Sequence, residues 1–132
     1  MGVQVDGIEQ TIKFLEGVVE SVIVGTTAET ASRIAERTPV DTGNARLSWH
    51  ITQDPHDAGM EGNNSLDADA ARIARTFSLK DREIYIVNSA DYIKYLEYGT
   101  SRMPPNAMVA RTLPEVPGIA QAQIEDAKRQ GR

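Results

Sequence analysis

The sequence predicts an α+β fold, in which a long N-terminal helix packs on a small mixed or antiparallel sheet, with short helices and a C-terminal helix. Three observations carry this prediction. Residues 6–37 have apolar side chains at helical spacing, residues 46–51 and 83–88 have the composition of strands, and turn-forming residues separate these segments. A chain of 132 residues is the size of one ordinary domain, so we expect residues 1–132 to form a single unit.

The long helix is predicted from an apolar stripe that changes position along its length. In the first half the spacing alternates between four and three residues, and past Gly25 the stripe is displaced by two positions. We therefore expect either a kink near Gly25 or two faces that contact different neighbours. The helix ends at Thr38, because a residue before proline is disfavoured in the α region. The stripe consists of Ile8, Ile12, Leu15, Val19 and Val22, followed by Val24, Ala28, Ala31 and Ala35.

The segment TPVDTGNARLSW, residues 38–49, predicts a turn that leads into a strand. Pro39 fixes its own φ, Asp41 accepts hydrogen bonds from nearby backbone, and Gly43 tolerates a positive φ, so residues 39–44 form the turn. Apolar and polar side chains then alternate, which predicts a strand with one buried and one polar face. The buried set is Leu47, Trp49 and Ile51, and the polar set is Arg46, Ser48 and His50.

A polar loop at 53–64 is expected to be the most mobile segment. After it, apolar residues at helical spacing predict a helix over 65–77, capped by Asn64 or Ser65. Residues 83–88, EIYIVN, are apolar on both faces and rich in β-branched side chains, which predicts an interior strand.

The remaining elements are short and divided by glycine and proline. Ser89 is expected to cap a short helix over 90–98, and Gly99 ends it. The prolines near the end of the chain exclude one unbroken helix there. In order, we expect a loop at 100–107, a strand or the start of a helix at 108–113, breaks at Pro114 and Pro117, and a C-terminal helix over 118–130.

Composition excludes several classes of function. The absence of cysteine excludes disulfides, thiol nucleophiles and thiolate metal sites, and is typical of a reducing compartment. The formal net charge of −5 disfavours sequence-specific binding to duplex DNA, which requires a basic face. No window approaches the roughly 18 apolar residues of a membrane span. No secretory signal is visible, so we expect no association with a membrane.

No catalytic, cofactor-binding or metal-binding residue is predicted. Asp54, His56 and Asp57 offer three possible ligands, but the surrounding proline and glycine indicate a solvated turn, and no second ligand cluster exists. Ser48 and His50 share one face of the predicted strand. Two such side chains are typical of a polar surface, and no nucleophile-elbow pattern surrounds the serine. We therefore expect a protein that is not an enzyme.

Two segments together resemble a known family. They are residues 38–49, a Pro-Val-Asp-Thr-Gly turn followed by Ser-Trp, and residues 84–109, IYIVNSADYIKYLEYGTSRMPPNAMV. The pair resembles the tail-component or neck protein family of long-tailed bacteriophages, over roughly residues 28–52 and 84–113. Ala107 stands where a glycine is common in similar sequences. The matching residues are Pro39, Asp41, Thr42, Gly43, Ser48 and Trp49 in the first segment, and Asn88, Tyr92, Leu96, Glu97, Tyr98, Gly99 and Thr100 in the second.

The resemblance implies a structural virion protein of the head–tail junction or tail top, assembled in the host cytoplasm and without a reaction or cofactor. Such proteins join or complete the tail by forming a homo-oligomeric ring beside neighbouring connector, terminator or tail-tube proteins. DNA would pass nearby without specific binding. A tail terminator or a head-closure (stopper) protein is the alternative. A small metal-dependent enzyme using Glu97 and the Asp54–Asp57 cluster is a remote one.

Interface residues are predicted around the second segment. Tyr92, Tyr95 and Tyr98 cannot all face inward from one short helix, so at least one is exposed beside the proline loop and suits an interface anchor. Glu97 is expected to bind a tyrosine hydroxyl or a backbone turn. Trp49 fills the core by default or, alternatively, anchors a neighbour. The full set of interface candidates is Trp49, Tyr92, Tyr95, Glu97, Tyr98, Arg102, Pro104, Pro105 and Met108.

Overall fold

The computed structural model describes residues 6–40, 44–81 and 83–130, without the side chain of Asp6. It confirms the α+β fold with a long N-terminal helix and a small antiparallel sheet. The predicted turn residues Asp41 and Gly43 lie outside the described residues. The elements are α1 (Asp6–Glu36), β1 (Trp49–Thr52), α2 (Leu66–Thr76), β2 (Tyr85–Asn88), α3 (Ile93–Tyr98), α4 (Met108–Thr112) and α5 (Val116–Gln130), with 3₁₀ turns at Arg46–Ser48, Leu79–Asp81 and Leu113–Glu115.

Helix α1 continues through Gly25 as one element, and its two halves contact different neighbours. Of the two alternatives predicted for the displaced stripe, the structure shows the second. Gly25 itself lies against the Gln123 side chain of α5. Further along α1, Ala31 packs with β1 and α2, whereas Ile34 and Ala35 pack with β1 and α4. Small residues in this half let the backbones approach closely.

The apolar stripe on the N-terminal half of α1 is largely exposed. Ile8, Ile12, Leu15 and Val19 each leave between 45 and 56 % of their surface accessible. Helix α5 packs beside this stripe and forms a groove of about 510 Å³ with it, lined on the α5 side by Ile124 and neighbouring residues. The regular spacing therefore predicted the helix, but the described chain leaves about half of the surface of these four side chains uncovered.

The two strands form one antiparallel pair, with Trp49 opposite Asn88 and Thr52 opposite Tyr85. The predicted strand at 46–51 begins three residues later, because residues 46–48 form a 3₁₀ turn and the Leu47 side chain is exposed. All four residues of β1 are buried, so the predicted polar face is wrong and His50 lies inside the protein. The predicted interior strand 83–88 is shorter and only half-buried along its length.

The polar loop 53–64 explains why both faces of β1 are covered. The loop folds back over the start of the strand, where the N–H of Gly62 donates to the Ser48 hydroxyl at 2.7 Å. The N–H of Asn64 donates to the Leu47 carbonyl at 2.8 Å. These bonds fix the loop against β1, and a local pattern of apolar and polar residues does not encode them.

Side chains of α2 occupy the free edge of β1. The N–H of Ile51 donates to Asp69 Oδ2 at 3.0 Å, and the Ile51 carbonyl accepts from Arg72 Nη2 at 2.8 Å. Asp69 and Arg72 therefore satisfy the backbone groups that a third strand would otherwise pair with.

Helix ends follow the local signals in some places and not in others. Ser65 caps α2, accepting from the N–H of Ala68 at 3.2 Å, and Gly99 ends α3, both as predicted. Ser89 is not a cap, since α3 begins at Ile93 and the Ser89 hydroxyl has no hydrogen-bond partner among the described residues. The ambiguous segment 108–113 forms α4, followed by a 3₁₀ turn and by α5, which starts two residues earlier than predicted because proline is tolerated in a first helical turn.

Ion pairs fix the C-terminal part of α1 to the junction between α4 and α5. Glu115 accepts from Arg37 Nη2 at 2.8 Å and from Arg33 Nη1 at 3.1 Å. Arg37 also donates to the Thr112 hydroxyl at 2.7 Å. The hydrogen bonds from Arg37 and then Arg33 lower the pKa of Glu115, because both stabilise its ionised form.

Candidate interaction surface

The loop after α3 is closed by a position that has no room for a side chain. Gly99 has a φ of 77°, and its N–H donates to the Tyr95 carbonyl at 2.8 Å. A Cβ at this position would lie 2.7 Å from the backbone nitrogen of Pro105 and 2.8 Å from the carbonyl oxygen of Met103. The loop backbone therefore packs directly on residue 99, which only glycine allows.

Glu97 holds the far end of the same loop. Its carboxylate accepts from the N–H of Val109 at 2.9 Å and of Ala110 at 3.0 Å, the first turn of α4. The backbone adds two bonds, from the N–H of Asn106 to the Leu96 carbonyl and from the N–H of Ala107 to the Glu97 carbonyl. Glu97 is half-buried, and the prediction that it binds a backbone turn is confirmed, since these bonds fix α4 relative to α3.

Ala107 adopts a left-handed backbone conformation at the start of α4, with φ 51° and ψ 46°. Among the described residues it is the only residue other than glycine with a positive φ. A left-handed conformation brings Cβ close to the following carbonyl oxygen, whereas glycine has no such contact. A glycine at residue 107 would therefore avoid this strain.

The loop between α3 and α4, together with the end of α3, carries a set of exposed side chains. Tyr98 leaves 79 % of its surface accessible and Tyr95 leaves 49 %, whereas Tyr92 is half-buried. The prediction that at least one of these tyrosines is exposed is therefore confirmed. Lys94 Nζ lies 5.4 Å from the Tyr95 ring centroid, within the range of a cation–π contact. We use the name tyrosine–proline surface for the exposed residues Tyr95, Tyr98, Arg102, Pro104 and Pro105.

Two of the predicted interface residues lie in the core instead. Met108 has no accessible surface and Trp49 has 6 %, and both pack against Ile34 and Ala35 of α1. The Trp49 ring N–H donates to the Thr38 hydroxyl at 2.8 Å. Neither side chain can therefore contact a partner in this conformation, and the default expectation that Trp49 fills the core is the one the structure shows.

The two segments that carry the family resemblance meet in the fold. The side chain of Asn88, in the second segment, donates to the Ala45 carbonyl of the first at 2.8 Å. Leu96 of the second segment packs in the cluster formed around Trp49 of the first. The buried residues of both segments thus build one corner, and the tyrosine–proline surface lies on its outside.

A second cluster of polar groups surrounds His50, which is buried. Its Nδ1 lies 2.8 Å from Asp69 Oδ2 and its Nε2 lies 3.1 Å from Asp57 Oδ2. Arg72 Nη1 donates to the other oxygen of Asp69 at 3.1 Å. The hydrogen bond with His50, together with the Gly59 N–H, holds the pKa of Asp57 below its ordinary value. The cluster joins β1, α2 and the polar loop.

The geometry of this cluster is that of a structural network. Both ring nitrogens of His50 face carboxylate oxygens, so both are engaged within the cluster. The sequence contained one usable signal, because Asp69 stands three residues after Leu66 and four before Ile73, on the apolar stripe of α2. A carboxylate at such a position indicates a buried partner.

The candidate metal ligands on the polar loop form a turn. Asp54 Oδ1 accepts from the N–H of His56 at 2.9 Å, and Asp57 binds His50. Within the ranges 6–40, 44–81 and 83–130, no three His, Asp or Glu side chains are arranged to hold a metal ion. The Ser48 hydroxyl donates to the Asn44 carbonyl at 2.6 Å and lies in the 3₁₀ turn before β1, so the prediction that Ser48 and His50 share one face of a strand is wrong.

Neither a protein-family model, nor a curated protein sequence, nor a solved structure matches this chain. None of the described helices is both long and apolar enough to cross a membrane.

Proposed function

We propose that this protein is a structural component of a bacteriophage virion, at the head–tail junction or the top of the tail, which helps to join or complete the tail by oligomeric assembly. The observation that carries the proposal is the tyrosine–proline surface, held in one geometry by Gly99 and Glu97. The residues of the two resembling segments build the corner beneath it.

The chemistry of this surface suits docking to a protein. Tyrosine and arginine are enriched among the residues that dominate binding energy, and a rigid backbone limits the entropy lost on association. Tyr98 is both the most exposed of the tyrosines and the closest to the fixed Gly99. We propose that it anchors a neighbouring subunit of a homo-oligomeric ring or a neighbouring connector, terminator or tail-tube protein.

The proposal includes no reaction, no cofactor and no specific contact with DNA. The polar cluster around His50 is consistent with this, since its groups bind one another. The net charge of −5 also suits a ring wall along which DNA slides without being held.

The test combines a sedimentation measurement with imaging of particles. Tyr98→Ala removes an exposed ring without disturbing the core, and Met60→Ala removes another largely exposed apolar side chain, on the polar loop, as a matched control. We expect Tyr98→Ala alone to lower the sedimenting mass at high protein concentration and to reduce incorporation into particles. Particles that lack the protein should show tails without a complete junction with the head.

Three results would contradict the proposal. The first is a wild-type chain that stays monomeric at high concentration and also fails to enter particles assembled without it. The second is an unchanged mass and unchanged incorporation for Tyr98→Ala. The third is particles that lack the protein yet carry complete junctions and infect normally. Tails of uncontrolled length would instead assign the protein to the terminator class.

A further inference from the structure

A second surface lies on the N-terminal half of α1, away from the tyrosine–proline surface. It consists of Ile8, Ile12, Leu15, Val19 and Val22, which we call the α1 seam. The first four of these side chains are about half exposed although they are apolar. The C-terminal half of the helix packs on α4 and the corner, so the two surfaces are at opposite ends of a rod of 31 residues, about 45 Å long.

The spacing of the α1 seam is that of a coiled coil. Its residues are separated alternately by four and three positions, an average of 3.5, whereas a stripe that follows a straight helix averages 3.6. Ile12 and Val19 then occupy position a of the heptad, and Ile8, Leu15 and Val22 occupy position d. β-Branched Ile12 and Val19 at a with Leu15 at d match the pattern that favours two helices over three or four in a parallel coil, whereas Ile8 and Val22 at the other d positions do not.

The residues beside the α1 seam indicate in which direction the α1 helix of a second copy can pack on it. Glu9 and Glu16 occupy the e positions, and Thr11 and Val18 occupy the g positions. In an antiparallel pair of these helices, e faces e, so Glu9 would meet Glu16 of the second copy. In a parallel pair e faces g, so Glu16 meets Thr11 and no like charges are opposed. A two-fold axis parallel to the helices gives this parallel, in-register pairing of two copies.

We infer that the α1 seam is a contact between two copies of this chain, formed by parallel and in-register pairing of their α1 helices. The groove between α1 and α5 continues the seam, so Ile124 and Ala127 add to the contact. An exposed apolar strip of this kind covers on the order of a few hundred Å². A stable interface buries about 800 Å² on each partner, so the pairing depends on concentration.

Cross-linking tests the direction of pairing, and the chain is suited to it because it contains no cysteine. Ile12→Cys and Val19→Cys each place one thiol at position a, where a parallel pair brings the two copies of the same residue together. Gln10→Cys, on the exposed outer face of the helix, is the matched control. We expect disulfide-linked dimers from Ile12→Cys and from Val19→Cys under mild oxidation, at least tenfold more than from Gln10→Cys.

An antiparallel pair can bring only one of residues 12 and 19 opposite its own copy, so a cross-link at one position alone would overturn the inference. Equal cross-linking at all three positions would indicate random collision and would also overturn it.

A charge substitution gives an independent measurement. Leu15→Lys adds a charge at the centre of the exposed seam, and Met60→Lys adds the same charge on the polar loop. We expect Leu15→Lys alone to raise the concentration needed for association at least tenfold, with an unchanged circular dichroism spectrum. If the mass is insensitive to Leu15→Lys but falls with Tyr98→Ala, the seam inference fails while the proposed function stands. A wild-type chain that is monomeric throughout would overturn the seam inference, and it would contradict the proposed function as well only if the chain also failed to enter particles.

Discussion

Replacing Ala107 by glycine should stabilise the protein, although removing a side chain usually destabilises it. The left-handed conformation of this residue costs about 1–2 kcal/mol for a residue with a Cβ. Glycine removes that cost but loses about 0.5–1 kcal/mol more conformational entropy on folding than alanine does. The balance is a gain of about 0.5 kcal/mol in the free energy of unfolding, given that the methyl group lost is half-buried.

The matched control is Ala110→Gly, three residues further along in the same short helix. This residue is exposed and helical, so glycine there should lower the free energy of unfolding by about 1 kcal/mol. Urea unfolding of the wild type and both variants should therefore separate the two glycines by about 1.5 kcal/mol, or several degrees in thermal midpoint. If both glycines destabilised the protein to the same extent, the left-handed conformation assigned to residue 107 would be wrong.

Three further predictions concern the buried contacts. Gly99→Ala should lower the free energy of unfolding by about 2–4 kcal/mol in a urea assay, because the added Cβ would meet backbone atoms and the φ of this residue is positive. The control is Gly118→Ala, which should be neutral or stabilising because nothing lies within 4 Å of an added Cβ there. Equal effects of the two substitutions would refute the close packing assigned to Gly99. Asp69→Ala should lower the free energy of unfolding by about 3–5 kcal/mol, because it leaves His50, the N–H of Ile51 and Arg72 without their acceptor. A loss below about 1 kcal/mol would contradict the structural role assigned to the cluster around His50. Folding lowers the pKa values of Asp57 and Glu115, so their ionised carboxylates stabilise the folded state. This stability is fully present at a pH above the ordinary carboxyl pKa near 4, and it is lost as the pH falls through the lower pKa values of the folded state. The thermal midpoint should therefore decrease as the pH is lowered from 5 to 3, and it should decrease less in a variant with Asp57→Asn and Glu115→Gln. A midpoint that rises on acidification would refute this pH dependence.

Features encoded by neighbouring residues could be predicted from the sequence. Ser65 caps a helix through a bond to a residue three positions away, and Gly99 ends one through its own positive φ, so both signals are local. The exposure of at least one of Tyr92, Tyr95 and Tyr98 followed from the geometry of a short helix, which cannot turn three such side chains inward. Which of the three are exposed did not follow from it, and the structure shows that they are Tyr95 and Tyr98, both part of the tyrosine–proline surface.

Features that depend on distant parts of the chain could not be predicted. His50 is buried because the polar loop and α2 cover β1, through contacts with residues 7 and 19 positions away, and Leu47 is exposed because residues 46–48 form a 3₁₀ turn instead of a strand. Met108 was placed on the surface because its segment reads equally well as a strand or a helix. The stripe on α1 was periodic, but periodicity does not say whether the covering partner belongs to the same molecule.

The salt bridge between Asp69 and Arg72 at the free edge of β1 limits how another strand can pair with the sheet. Asp69 and Arg72 mimic the backbone of a neighbouring strand, so any incoming peptide would have to displace two charged groups before it could register with Ile51. The β1 edge is therefore protected against pairing with a strand of another chain, during assembly and during accidental aggregation alike.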